Sequence, residues 1–410
     1  MHVLIVQPTC DKKGHYGIWT VRMCQELART GCKVTLCTNR VYPERYLQDK
    51  RLFDIVEVDA GRYSFERFDK EGIRQFVYYY GYFRNSYAIT SAGLKLAGEM
   101  DVDAVFLTDI EFLTASLLLK RYRKRLPPVV MHVNAANFTF EKYVGSFAKK
   151  CYKVVQREVF KSTLGKEIKA IVVLGRWHEE QLRGQLGLQE DFPIEVIADA
   201  ADDRPVMVAR GEARKRLGIE FDGPVFLFLG ILRKDKGIEC LIRAVRYVKG
   251  CDLRLVIAGA AKEYSEEYLA GLVEREGVRD KVILLPRYIK DEEMPVYYGA
   301  CDAVVFPYPA SYTGGSGPLM KGACTYRRPV VATDVSEMGR LVREHNIGVV
   351  TASDDPEALA DGMREFTAIG EEGVELMMRN VEAMAASNSW RVLGERYSRF
   401  YEKIVRNSDR

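Results

Sequence analysis

Gly230, Arg233, Lys236 and Gly237 fall within one stretch, Val225 to Gly237, that reads VFLFLGILRKDKG. An apolar strand runs into a glycine, then into a short basic turn that opens a helix at about Gly237. This order places two cations at the carboxyl end of a buried strand, where open α/β sheets present groups to ligands. The helix start adds unpaired backbone N–H groups and the positive end of a dipole, so the chemistry suits a phosphate. An ordinary βα turn with solvated Lys and Arg fits the same residues, and this segment alone does not separate the two.

A second segment, Tyr308 to Asp334, reads YPASYTGGSGPLMKGACTYRRPVVATD. Gly314, Gly315, Ser316 and Gly317 lead into a helix expected to start near Pro318 and Leu319, and proline suits the first helical position. Glycines let backbone approach a ligand closely, while the helix start and the Ser316 hydroxyl donate to phosphate oxygens. Two phosphate-directed elements on one sheet edge are what a diphosphate needs.

Two of the five histidines follow buried strands: His15 in KGHYG, after Gly14, and His132 at the end of VVMHV. An imidazole near neutral pH accepts or donates a proton or orients a hydroxyl; a structural histidine is the alternative. Other signatures are absent. No GxGxxG follows the first strand, and there is no GxxxxGK[ST] loop or GxSxG elbow. Asp101-Val102-Asp103 directly precedes a buried strand and reads as a solvated turn. No His/Cys cluster has metal spacing, so neither a metal nor a bound cofactor is expected.

The elements that must position these residues alternate between strand and helix, which predicts parallel sheets covered on both faces. Strands are expected at His2–Gln7, Val34–Thr38, Ala104–Leu107, Val129–Val133 and Ile171–Leu174. After a polar link from Ala198 to Pro205 the rhythm restarts, with strands from Val225, at Leu253–Ala258, Val282–Leu285, Ala303–Phe306 and Val330–Ala332, and near Gly348–Val350. A last helix from about Ser389 to Val405 carries Trp390, Leu393, Tyr397, Phe400, Tyr401 and Ile404 at helical spacing and must bury that face. The stretch Tyr63 to Tyr87 is dense in aromatic residues, which fits core or interdomain packing, with an acceptor-facing surface as the other reading.

Length and composition agree with this layout. The 410 residues suit two domains, and 47% hydrophobic with 29% charged residues fits a soluble globular enzyme. Nine cysteines without CxxC pairs read as buried thiols of a reducing cytoplasm. No run approaches a membrane span or signal peptide. The net charge of +4 is uneven, with 30 Lys and Arg against 24 Asp and Glu in residues 1–200 and 31 against 33 afterwards. Lys150, Lys153, Arg157 and Lys161 recur at helical spacing beside Val154, Val155 and Phe160, and residues 120–125 read KRYRKR. Peripheral contact with an anionic membrane is one reading, and a solvated helix face is the other.

These residues resemble the two-Rossmann-domain GT-B glycosyltransferases, in particular the large retaining group called family 4. FLGILRKDKGIECLIRAVRYV is similar to the family's strand, glycine, KG and helix segment, which implies that Lys236 binds the donor diphosphate. The family's usual arginine after the glycine is Ile231 here, with Arg233 the nearest substitute. Pro286 to Tyr308 resembles the segment that holds the nucleotide base, implying Tyr288 and Ile289 at its border. His132 matches a histidine near the donor sugar, and Gly14 and His15 match a loop beside the donor phosphates and acceptor. The family's two glutamates, with seven residues between them, fall on Gly314 and Gly322. The loop instead resembles a branch with SG-P-L that keeps the backbone phosphate site.

The resemblance implies two doubly wound parallel-sheet domains facing a deep cleft. Residues 1–203 would form an acceptor-binding domain completed by a helix over 389–410, and residues 204–388 a donor-binding domain. It also implies sugar transfer from a nucleotide diphosphate to a glycan, lipid-linked or small-molecule hydroxyl, with retention, with His132, Lys236 and Arg233 catalytic, and with neither metal nor nucleic acid. An inactive sugar-nucleotide or glycan-binding scaffold, or a sugar-nucleotide epimerase, is the alternative.

Overall fold

The structure, a computed structural model, describes residues 1–11, 15–41, 52–61, 73–123, 126–134, 138, 147–202, 205–315 and 317–408. Two compact units make up the chain, Met1–Ala198 with Trp390–Arg410, and Asp199–Ser389.

In the first unit the order is β1 (His2–Gln7), α1 (His15–Arg29), β2 (Lys33–Thr38), β3 (Asp54–Glu57), α2 (Ile73–Glu99), β4 (Ala104–Leu107) and α3 (Phe112–Tyr122). Then come β5 (Val129–Val133), α4 (Phe147–Lys161), β6 (Ile168–Val173), α5 (Arg176–Leu186) and β7 (Ile194–Val196). All strand pairs are parallel in the order β3-β2-β1-β4-β5-β6-β7. Every residue of β1, β4 and β5 is buried, so these strands read as unbroken apolar runs and were legible from sequence.

Alternate residues point to opposite faces. Leu4, Val6, Val105, Leu107, Met131 and Val133 share a core with Ile89 of α2, Leu118 of α3, Phe160 of α4 and Leu182 of α5. On the other face, Trp19 of α1 and Tyr397 and Tyr401 of the last helix pack around Phe106 and His132.

The second unit runs α6 (Arg210–Arg216), β8 (Val225–Leu229), α7 (Ile238–Tyr247), β9 (Arg254–Ala258), α8 (Glu266–Arg275), β10 (Val282–Leu285), α9 (Met294–Ala300) and β11 (Ala303–Phe306). It continues with β12 (Val330–Thr333), α10 (Ser336–Glu344), β13 (Gly348–Thr351), α11 (Pro356–Ala368) and α12 (Gly370–Ser387). Its sheet order, β10-β9-β8-β11-β12-β13, repeats the pattern of the first six strands of unit one, with β8 in the place of β1. The strand order therefore reverses beside β1 and beside β8, and each reversal opens a crevice at the carboxyl ends of the strands.

The chain then returns to the first unit as α13 (Trp390–Ser408), whose Trp390, Leu393, Tyr397, Phe400, Tyr401 and Ile404 are all buried. Its Gly394 lies flat against α1, where a Cβ would come within 2.8 Å of Glu26. The aromatic stretch at Tyr63–Tyr87 is only partly described. Phe83 packs edge-on against Tyr82 and against Tyr152 of α4, while Tyr80 and Tyr87 are exposed.

Three differences from the sequence reading have physical causes. β3 and β7 were not anticipated because both are short, half-exposed edge strands without an apolar run. β6 starts at Ile168, three residues early, because Lys169 points to solvent and breaks the run. The helix near Pro318 forms, but its Leu319–Cys324 turn is a wide π turn.

Candidate functional site

The segment after β8 is built as a cradle. The Gly230 N–H pairs with Ala258 O of β9 at 3.0 Å, a 3₁₀ turn covers Lys234–Lys236, and Gly237 takes a left-handed φ of 66° before α7 begins. A Cβ at Gly237 would overlap the carbonyl oxygen of Pro307, which follows β11. Glycine is therefore required twice, for φ and for contact, and the close contact locks the β8 loop to the β11 loop. Because Gly237 supplies no capping side chain, the first N–H groups of α7 are left for another acceptor.

Lys236 fills the angle between these loops. Its ammonium lies 4.2 Å from the Tyr308 ring centroid and 4.4 Å from that of Tyr312, and donates to the Tyr312 hydroxyl at 3.3 Å. That hydroxyl in turn donates to Gly315 O at 3.5 Å, so the lysine is tied to the glycine-rich loop. Burial pushes its pKa down to about 8 against the pull of Asp235, with Arg233 acting in the same direction as burial. Arg233 itself pairs with Asp235 at 2.9 Å. A half-buried ammonium with a lowered pKa at a strand-order reversal is poised to gain from an anion.

The glycine-rich loop follows β11. Ser336 donates to Gly314 O at 3.3 Å, and Gly317, Pro318 and Leu319 lead into the π turn; Ser316 lies outside the described residues. At the two positions aligned with the glutamates, a side chain requires a tyrosine to move, since a Cβ at Gly314 would meet the Tyr312 hydroxyl and one at Gly322 the Tyr298 hydroxyl. Tyr288 and Ile289 follow β10, two strands away from β8. Tyr288 is 69% exposed, whereas Ile289 is buried. Arg287 pairs with Glu293 at 2.6 Å and stiffens that loop, holding the Glu293 carboxyl down to about 2.

At the matching reversal of unit one, Asp109 follows β4 with φ of 52°, an uncommon conformation for a non-glycine residue. Its carboxylate accepts from Gln7 Nε2, at the end of β1, at 2.6 Å and from Asn134 Nδ2, just after β5. The sequence reading missed Asp109; the backbone strain at a strand end is what marks it. His132 is deeper than a loop histidine, stacked between Trp19 at 5.2 Å and Phe106 at 6.0 Å, with Nδ1 3.2 Å from Thr108 Oγ1. Gly14 and the His15 side chain lie outside the described residues, with α1 starting at His15. Asp103 accepts from the His2 backbone N–H at 2.6 Å, a structural role for the DVD turn. Among the described residues no group of His, Cys, Asp and Glu has the arrangement of a metal site.

Residues 209–385 match the family model described as "Glycosyl transferases group 1". The match lies within the second unit. Alpha-D-kanosaminyltransferase of Streptomyces kanamyceticus is 26% identical over 229 residues, 55% of this chain and 58% of that protein. A D-inositol 3-phosphate glycosyltransferase of Xylanimonas cellulosilytica is 32% identical over 155 residues, 37% of this chain and 36% of that protein. The chain thus spans about three-fifths or less of these relatives.

Among solved structures, sucrose-phosphate synthase from Thermosynechococcus elongatus superposes with a TM-score of 0.72 at 17% identity, covering 98% of each chain. HepE of Anabaena in complex with UDP-glucose superposes with a TM-score of 0.67 at 16% identity, covering 98% of this chain and 100% of that one. These likenesses give the fold, GT-B, with two Rossmann-like parallel-sheet units. The match to the family model takes in the whole of the Lys236 cradle, the glycine-rich loop and the segment around Tyr288.

Proposed function

We propose that the protein transfers a sugar from a nucleotide diphosphate donor to an acceptor hydroxyl, with retention at the anomeric carbon and without a metal. The observation that carries this reading is Lys236, held by Tyr308 and Tyr312 between the basic turn after β8 and the glycine-rich loop after β11, beside the start of α7, which has no side-chain cap. The second unit holds the donor. Gly315, Ser316, Gly317 and Leu319, with the first amides of α7, present backbone or hydroxyl donors to the diphosphate, Gly230, Gly237 and Pro318 shape the backbone around it, and Tyr288 and Ile289 border the base.

As the bond from the anomeric carbon to the diphosphate oxygen breaks, negative charge gathers on the leaving group. Lys236, Arg233 and the amides stabilise that charge. The acceptor oxygen bonds to the same carbon and its proton passes to a diphosphate oxygen, so no protein carboxylate is needed at positions 314 and 322. The first unit binds the acceptor, a glycan, lipid-linked or small-molecule hydroxyl, with Asp109, Gln7 and Asn134 at its strand ends. In this proposal His132, Gly14 and His15 act with them on the acceptor. Solved HepE complexes with UDP and with UDP-glucose support a nucleotide-sugar donor. Nine free cysteines support a cytoplasmic setting. Transferase relatives do not favour the scaffold or epimerase alternatives.

The test is a thermal-shift screen of UDP, GDP, ADP and TDP sugars, followed by product analysis with the best donor. A donor at a hundredfold excess over its dissociation constant stabilises by about 3 kcal/mol, a clear shift. No shift with any of them, or isomerised donor without an acceptor, overturns the proposal.

A further inference from the structure

A cleft of about 450 Å³ opens in the first unit at the amino-terminal ends of β5 and β6. Its floor is the Leu-Pro-Pro run at 126–128 that feeds β5, and one wall is the turn between α4 and β6 with the start of that strand, which carries Lys166, Glu167 and Lys169. Arg123, the C-cap of α3, and Ser408, at the end of α13, close the other sides. The volume falls within the range of small-molecule sites, about 300–1,000 Å³. The cleft is remote from the strand ends that carry Asp109 and Asn134. At ~3.3 Å per residue, β5 holds Pro128 about 20 Å from Asn134.

The walls form a fixed frame. The buried Thr163 carbonyl accepts from the N–H groups of Lys166, Glu167 and Ile168 at 3.2, 2.9 and 3.0 Å, and the Gly165 N–H donates to Ile168 O at 2.9 Å. Two consecutive prolines stiffen the floor. Charge inside this frame is unmatched. Among the described residues, Arg123, Lys166 and Lys169 have no acid as partner although Glu167 lines the same cleft, and Lys169 reaches only the Gly165 carbonyl, at 3.5 Å. Nearby, Arg157 and Arg183 each pair with a glutamate. Glu167 has the complementary deficit. Its Oε2 is shielded from solvent and accepts no hydrogen bond among the described residues, a costly state for a carboxylate.

We propose that this cleft binds a phosphorylated sugar or polyol. The three cations meet the phosphomonoester, Glu167 accepts from a ligand hydroxyl, and the aliphatic floor packs under the carbon skeleton. Inorganic phosphate would answer the cations but gain nothing from the carboxylate. A nucleotide would find no aromatic ring in the lining on which to stack its base. No bond is made or broken there. The site is separate from the donor site proposed in the second unit, so both can be filled at once.

Calorimetric titration of the full chain with ribose 5-phosphate, mannose 6-phosphate and glycerol 3-phosphate tests this, with mannose and inorganic phosphate as controls. At least one ester is expected to bind once per chain, about tenfold or more tightly than inorganic phosphate, and mannose not at all. A charge-assisted contact contributes about tenfold, so the double variant Lys166→Ala, Lys169→Ala should weaken the ester by about 100-fold. Both lysines are exposed, so its melting should be unchanged. Glu167→Ala should weaken the ester about tenfold while tightening inorganic phosphate, which brings the two affinities together; a purely structural role would not do this. Lys236→Met should bind the ester as wild type does, which keeps this test apart from that of the donor site. Absence of binding by all three esters at millimolar concentration overturns the inference. So does inorganic phosphate bound as tightly as the esters, or ester binding lost in Lys236→Met but kept in the double variant.

Discussion

Replacing Lys236 by methionine tests the phosphate cradle in two opposite directions. In the folded protein the lysine pKa falls from 10.5 to about 8, chiefly through burial. Below pH 8 both folded and unfolded chains carry the proton, so the full cost of burying the ammonium is present at pH 7. Between 8 and 10.5 the folded chain sheds the proton first, and stability rises with pH across that window. The shift corresponds to about 3 kcal/mol, partly offset by the ring contacts with Tyr308 and Tyr312, worth about 0.5–2 kcal/mol.

Lys236→Met keeps the stem packed between the rings and removes the charge. The second unit should therefore be more stable at pH 7 by about 1–2 kcal/mol, a rise of about 2–4 °C per kcal/mol, and the gain should vanish near pH 10. Transfer should fall by about 100- to 1,000-fold. Wild-type affinity for the donor should itself weaken above pH 8, as the unliganded lysine loses its proton. Differential scanning fluorimetry across pH and initial-rate assays read both effects. If the variant melts below wild type at pH 7 by a margin that persists at pH 10, or transfers sugar at the wild-type rate, the burial argument is wrong.

Gly237→Ala combines a left-handed φ with overlap on the Pro307 carbonyl, and should destabilise the second unit by more than about 2 kcal/mol, read by urea denaturation. Asp109→Asn preserves the shape but removes the charge that Gln7 and Asn134 face; it should leave the melting temperature within a few degrees and lower kcat by about tenfold or more, and unchanged kcat would remove Asp109 from the site. Ile231 is 48% exposed in the turn beside the cradle, so Ile231→Arg should fold normally and tighten nucleotide diphosphate binding by about fivefold, measured by calorimetry.

The central strands of both sheets were legible because they are buried on both faces and read as apolar runs. The edge strands β3 and β7 were not, since half-exposed residues carry no such run. Lys236, Arg233 and the glycines could be named because a strand, a glycine and a basic turn are contiguous in the chain. Their arrangement could not. The contact of Gly237 with Pro307, and the tyrosine pair that holds the Lys236 ammonium, join segments some 70 residues apart and exist only once β8 and β11 lie side by side. Asp109 is marked by a backbone angle and by partners from two other strand ends, none of which local sequence encodes. Sequence supplied the chemical groups through local pattern, and the parallel sheet, by bringing distant strand ends together, decided which of them meet.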